Sequence, residues 1–234
     1  TFALENHLNI LQPTNLKDPQ FLHELKSIHA DVFVVVAFRM LPEVVWKIPS
    51  MGTFNLHASL LPQYRGAAPI NWAIINGETE TGLTTFFINH TIDTGKIILR
   101  KKTKIYDDDT AGDLHDRLML LGEEAVVESL TKIKSAKLDA ISQDEFQDVN
   151  EKLIPAPKIF KQDCLINWND KGKNIYNKIR GLSPYPTAYS IFKQAGKDLA
   201  IKIYKARFIE QKHNNDSGRI IIEGNKKLLV CVPD

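Results

Sequence analysis

Cysteine is scarce. Only Cys164 and Cys231 occur, far apart and without a CxxC partner, so neither a zinc site nor a disulfide framework is suggested and a reduced setting fits. No apolar run approaches the roughly 20 residues a membrane helix needs; the most apolar stretch, Val32–Phe38, is closed by Asp31 and Arg39. No GxGxxG follows any candidate strand, which argues against a dinucleotide-binding dehydrogenase. Internal repeats and low-complexity segments are absent, and 12 Gly and 11 Pro in 234 residues exclude collagen-like or disordered chains. There is no initiator Met, signal peptide or basic leader at Thr1, and the last residues, Cys231-Val-Pro-Asp234, follow a predicted strand, so both ends read as cut.

What is present is enough for one large domain or two modest ones. The net charge of +2 hides an asymmetry. Residues 1–157 carry 15 Lys+Arg against 21 Asp+Glu, a balance of −6, and residues 158–234 carry 15 against 7, a balance of +8. A basic second part suggests a polyanionic partner, though charge alone fits a solvated basic surface equally well.

The first part alternates strand and helix. Leu8–Leu11 reads as a short strand, Asp18–His29 as a helix with Phe21, Leu22, Leu25 and Ile28 at helical spacing, and Asp31–Ala37 as a Val-rich strand buried on both faces. Leu41–Trp46 resembles a helix with Pro at its start. Strands follow at Thr53–Ala58, Gly82–Asn89 and Lys96–Ile105, with a helix at Pro69–Asn76. Thr110–Asp113 looks like a capping box opening a long amphipathic helix through Leu114, Leu118, Leu121, Ala125 and Leu130. This interleaving predicts an α/β fold with a mostly parallel, Rossmann-like sheet. The periodicity then fades into a Pro-punctuated linker. Beyond it, short strands at Cys164–Trp168, Thr187–Phe192, Leu199–Ala206, Arg219–Glu223 and Lys227–Val232, with one helix at Asn174–Leu182, suggest a small OB-like β-barrel. The expected division is a first domain over 1–137, a linker over 138–160 and a basic barrel domain over 161–234.

Three constellations carry chemistry. In Asn55-Leu56-His57 an amide and an imidazole two residues apart share one face of a strand. At the carboxyl end of a parallel strand they would stand where open α/β sheets bind ligands, suited to a carbonyl oxygen that becomes negative. Taken alone, such a triplet is more often a satisfied structural pair. Ser59 to Pro69 (SLLPQYRGAAP) is a shaped loop between prolines, in which Arg65 offers a planar fork for an anion; an incidental surface Arg would look the same. Ile92-Asp93-Thr94-Gly95 places a carboxylate in a tight turn. A single Asp-Thr-Gly in an α/β setting does not fit an aspartic protease, which needs two.

Together, Asn55–Ile70 (NLHASLLPQYRGAAPI), Trp72–Gly82 (WAIINGETETG) and Ile92–Gly95 closely resemble the folate-dependent formyltransferases. Val36–Pro42 upstream and Ile179–Pro186 (IRGLSPYP) downstream extend the resemblance over nearly the whole chain. It implies 10-formyltetrahydrofolate as donor, no metal, and a catalytic trio of Asn55, His57 and Asp93. Asn55 and a protonated His57 would bond the oxyanion, while Asp93 would orient His57 and assist removal of the amine proton. Ser59, Leu60, Leu61 and Pro62 would border the folate, with Phe38, Met40, Leu41 and the loop before Asp93 around its pterin. Within that family the GAAPI and IRGLSPYP segments and the basic second domain look most like the members acting on initiator methionyl-tRNA in translation initiation. Arg65, Lys171, Lys173, Lys178, Arg180, Lys202, Lys205 and Arg207 are then the expected acceptor contacts. Sugar-nucleotide formylation and a non-catalytic nucleic-acid-binding fragment are the alternatives. The resemblance also implies a further βαβ portion ahead of Thr1, further barrel strands after Asp234, a monomer, and a bacterial cytoplasm or an organelle matrix.

Overall fold

The computed structural model describes residues 2–37, 39–135, 138–147, 152–194, 197–224 and 227–233. The expected α/β architecture is present. Its sheet has the order β1 (Phe33–Val36), β2 (Thr53–His57), β3 (Glu80–Phe87), β4 (Ile97–Lys104). The pairing of β1 with β2 is parallel, in the register Val35 to Asn55, and β2–β3 and β3–β4 are antiparallel. The sheet is therefore mixed: only nine residues lie between β3 and β4, too few for the crossover a parallel pair requires.

Local signals set the helices. A single turn, α1, spans Phe2–Glu5, and Asp18 caps α2 (Pro19–Ser27) by accepting from the Phe21 N–H at 2.9 Å. Thr110 and Asp113 form the expected capping box of α5 (Ala111–Lys134): the Asp113 N–H donates to Thr110 Oγ1 and the Thr110 N–H to Asp113 Oδ2. One stripe of α5, including Leu114, Leu118 and Ala125, is buried against β3, β4 and α4 (Pro69–Ile75). Each fully buried leucine there stabilises the fold by roughly 1.5–3 kcal/mol. A bond of 2.7 Å between the Thr85 and Ser129 hydroxyls ties β3 to the same helix.

Two segments of the first part differ from expectation. Leu8–Leu11 forms no strand, and Leu8 and Ile10 are exposed. The Val-rich segment is a strand only over Phe33–Val36, at the edge of the sheet, and Val34 and Val36 are exposed rather than buried; of the two, Val36 borders a wide cavity.

The second part packs α6 (Gly172–Gly181) on a small core of Cys164, Ile166, Ile175, Ile179, Leu182 and Ala188. Its strands pair as two antiparallel hairpins, β5 (Ala188–Gln194) with β6 (Lys197–Ile203) and β7 (Ile220–Glu223) with β8 (Lys227–Val230). Residues expected to start a strand at Cys164 form a 3₁₀ turn over Lys161–Cys164, after which Leu165 bridges Tyr189.

The two parts join where α6 lies on α4. Asn71 Nδ2 donates to the Gly181 carbonyl at 2.7 Å. A Cβ on Gly181 would stand 2.7 Å from Ile75 Cγ1 and 3.0 Å from its backbone nitrogen, so only glycine permits this approach. Ile75 of α4 in turn packs into the core of the second part.

Candidate functional site

The parallel pairing of β1 and β2 leaves Asn55 and His57 at the carboxyl end of β2, on a cavity of about 1380 Å³ bounded by the loop from β1 to Glu43–Trp46 (α3), the loops around Gly66 and Asp93, and one face of α5. The Asn55 amide makes no hydrogen bond among the described residues, leaving its N–H groups for a ligand. His57 is buried and held from behind: its Nε2 lies 2.9 Å from the Tyr64 carbonyl oxygen. A carbonyl only accepts, so Nε2 carries the proton and Nδ1 is left for chemistry. Nδ1 faces Asp93 Oδ2 at 4.0 Å, within reach of charge but beyond a hydrogen bond.

Tyr64 aims its carbonyl from a left-handed conformation, φ 60°. Such a backbone costs a non-glycine residue about 1–3 kcal/mol and persists only where the surroundings impose it. Here the Tyr64 N–H donates to the Ile154 carbonyl at 2.7 Å and the phenol donates to Glu78 at 2.5 Å. Burial, and then the Glu78 contact, push the phenol well above the ordinary tyrosine range.

Asp93 also lies in the left-handed region, φ 55°, which Asp tolerates better than most residues. Its Oδ2 accepts from the Gly66 N–H at 3.0 Å. Gly66 has φ 129°, and a Cβ there would sit 2.3 Å from the Ala156 carbonyl oxygen, so the donor can come this close only from glycine. Thr94 Oγ1 closes the turn by donating to Asn89 Oδ1 and the Thr91 carbonyl.

The predicted folate wall divides. Met40 and Leu41 line the cavity, and Phe38 lies outside the described residues. Ser59, Leu60, Leu61 and Pro62 do not line it. Thr84 pulls that segment into the core, donating to the Ser59 carbonyl at 2.7 Å and accepting from the Leu61 N–H at 3.1 Å. Ser59 and Leu61 are fully buried, and Leu61 packs on Phe86 and Ile97. Ser59 and Leu61 thus belong to the core rather than to the cavity wall.

The predicted acceptor contacts divide too. Lys171, Lys173, Lys202, Lys205 and Arg207 are exposed. Arg180 is not: 6 % exposed, it donates to Asn177 Oδ1 and to the carbonyls of Tyr106 and Asp109. Burial draws its pKa down from the ordinary arginine value. It fastens α6 to the β4–α5 loop instead of facing a polyanion. Lys178, half-buried, donates to the Leu165 carbonyl at 2.7 Å, and burial lowers its pKa. Arg65 is also engaged, donating through Nε and Nη2 to Gln143 Oε1 at 3.1 and 2.6 Å.

Sequence reasoning missed the linker's part in the site. Ile154 and Ala156 hold the 63–68 loop through backbone bonds, and Ile141 pairs with Ile97. Gln143 reaches the Asp93 turn. No motif marks these residues; only the polar, Pro-punctuated composition stands out.

An amide and an imidazole converging beside a carboxylate in an α/β cavity define an acyl-transfer type of site. The chain belongs to the formyl transferase family: the formyl transferase model matches residues 1–130 and the formyl transferase C-terminal domain model residues 158–233. A methionyl-tRNA formyltransferase of Parabacteroides distasonis is 53% identical over 234 residues, all of this chain and 72% of its own length. That of Flavobacterium johnsoniae is 51% identical over 231 residues, 99% of this chain and 72% of its own. The crystal structure of a sugar 3N-formyl transferase with dTDP and 5-N-formyl-THF superposes with a TM-score of 0.57 at 25% identity, covering 77% of this chain and 61% of that one. The enzyme class is therefore that of the methionyl-tRNA formyltransferases, its close relatives.

Proposed function

We propose that the chain moves the formyl group of 10-formyltetrahydrofolate onto the amino group of initiator methionyl-tRNA, with Asn55, His57 and Asp93 as the catalytic residues. The observation that carries this reading is the pairing of an uncommitted Asn55 amide with a His57 ring whose Nδ1 faces both the cavity and Asp93. The acceptor amine attacks the formyl carbon and a C–N bond forms. The carbonyl electron pair moves onto oxygen. Asn55 Nδ2–H and, with the ring protonated, His57 Nδ1–H donate to that oxyanion, a contact worth most inside a water-poor cavity. Asp93 supports the charged ring at 4.0 Å and takes the amine proton directly or through water. Collapse of the intermediate breaks the bond to N10, which leaves as tetrahydrofolate after gaining a proton. Met40, Leu41 and the loop before Asp93 suit the flat, partly apolar donor.

The domain division over 1–137, 138–160 and 161–234 goes with this reading: the first part does the chemistry and the basic second part faces the tRNA. Identity with enzymes named for methionyl-tRNA supports that acceptor over a sugar nucleotide. The test supplies the protein with 10-formyltetrahydrofolate and either methionyl-tRNA or an amino-sugar nucleotide. Formylation of the aminoacyl-tRNA alone is expected; formylation of the sugar alone, or of neither, overturns the reading.

A further inference from the structure

Gln143 has no part in the mechanism above, yet it is 3 % exposed and its amide is fully used. Nε2 donates to the carbonyls of Asp93 and Gly95, both at 2.9 Å. Oε1 accepts twice from Arg65. An arginine only donates, so Arg65 settles which end of the amide points where: oxygen toward the guanidinium, nitrogen toward the turn. A single buried amide thus clips the two carbonyls flanking Thr94, in a turn whose first residue is held at φ 55°. The neighbouring Gly66 N–H meets the Asp93 carboxylate from the other side. Arg65 and Gly66, adjacent in sequence, brace Asp93 at its backbone and at its side chain.

We propose that Gln143 is a positioning residue for Asp93, oriented by Arg65, and that Arg65 serves this purpose instead of gripping an anion of the substrate. The inference rests on the reading of Asp93 as catalytic. A carboxylate displaced by about 1 Å costs turnover on the order of 10²-fold. Substrate binding, which this turn reaches only at its margin, changes little.

Gln143→Met keeps the volume and removes both halves of the clip. It is compared with Asp93→Asn and with the double variant, folding being checked by circular dichroism and melting. We expect Gln143→Met to lower kcat about 10- to 100-fold with the KM for methionyl-tRNA within about twofold. In the Asp93→Asn background the same change should cost less than about twofold, since residues acting as a unit are not additive. Losses that multiply, or a Gln143→Met variant within twofold of the parent, overturn the proposal. If Gln143→Met does not fold, Arg65→Met carries the same test, leaving the amide free to turn. A raised KM for methionyl-tRNA with kcat unchanged would return Arg65 to the role of an anion grip and sink the idea. A fully active Asp93→Asn is a separate outcome: it removes the catalytic reading itself, and any loss in Gln143→Met is then structural.

Discussion

His57 and Asp93 face each other at 4.0 Å while each is fastened by a different residue of one loop: His57 Nε2 by the Tyr64 carbonyl and Asp93 Oδ2 by the Gly66 N–H. The loop between β2 and α4 therefore sets the separation of the pair. It holds them close enough for their charges to interact, and short of the contact that would consume the ring's free nitrogen.

His57→Ala should reduce turnover by about 10²–10³-fold, the usual cost of losing an oxyanion donor. Folate affinity should change little, because Met40, Leu41 and the loop before Asp93 are untouched. Steady-state kinetics and a folate titration check this, and near-normal turnover would end the assignment.

Asp93→Asn preserves the shape of the side chain, and its amide oxygen can still accept from Gly66. The negative charge facing His57 is lost. Activity should collapse while circular dichroism and melting stay near those of the parent. An active variant would make Asp93 a turn residue only.

Neutralising two or three of Lys171, Lys173, Lys202, Lys205 and Arg207 should raise the KM for tRNA and spare turnover at saturation. Each lost phosphate contact should flatten the logarithmic dependence of affinity on salt by roughly 0.7–0.9. An unchanged slope would leave these residues a solvated surface.

Arg180→Met should behave differently. The substitution strands Asn177 Oδ1 and the Asp109 carbonyl in a buried joint, costing about 1–3 kcal/mol of stability. Thermal melting should register that loss, whereas the salt dependence of tRNA binding stays as in the parent.

Much was legible before folding because it is local. The Thr110–Asp113 box depends on residues three apart, and the shared face of Asn55 and His57 follows from the two-residue period of a strand. Shape-demanding residues such as Gly66 and the Asp-Thr-Gly turn stand out for the same reason. The resemblance of these blocks to the formyltransferases was equally readable in the chain.

What only the tertiary structure decided concerns partners distant in sequence. Arg65 and Arg180 carry the same guanidinium that any surface arginine would. One is drawn 78 residues along the chain to Gln143, the other 71 residues back to Asp109. Ser59 and Leu61 look like an exposed loop until Thr84 on the neighbouring strand takes their backbone groups into the core. Gln143 meets the Asp93 turn only when its segment folds back over it. The sequence specifies which side chains can donate, accept or carry charge, but burial and a facing partner depend on loop closures that no local pattern records.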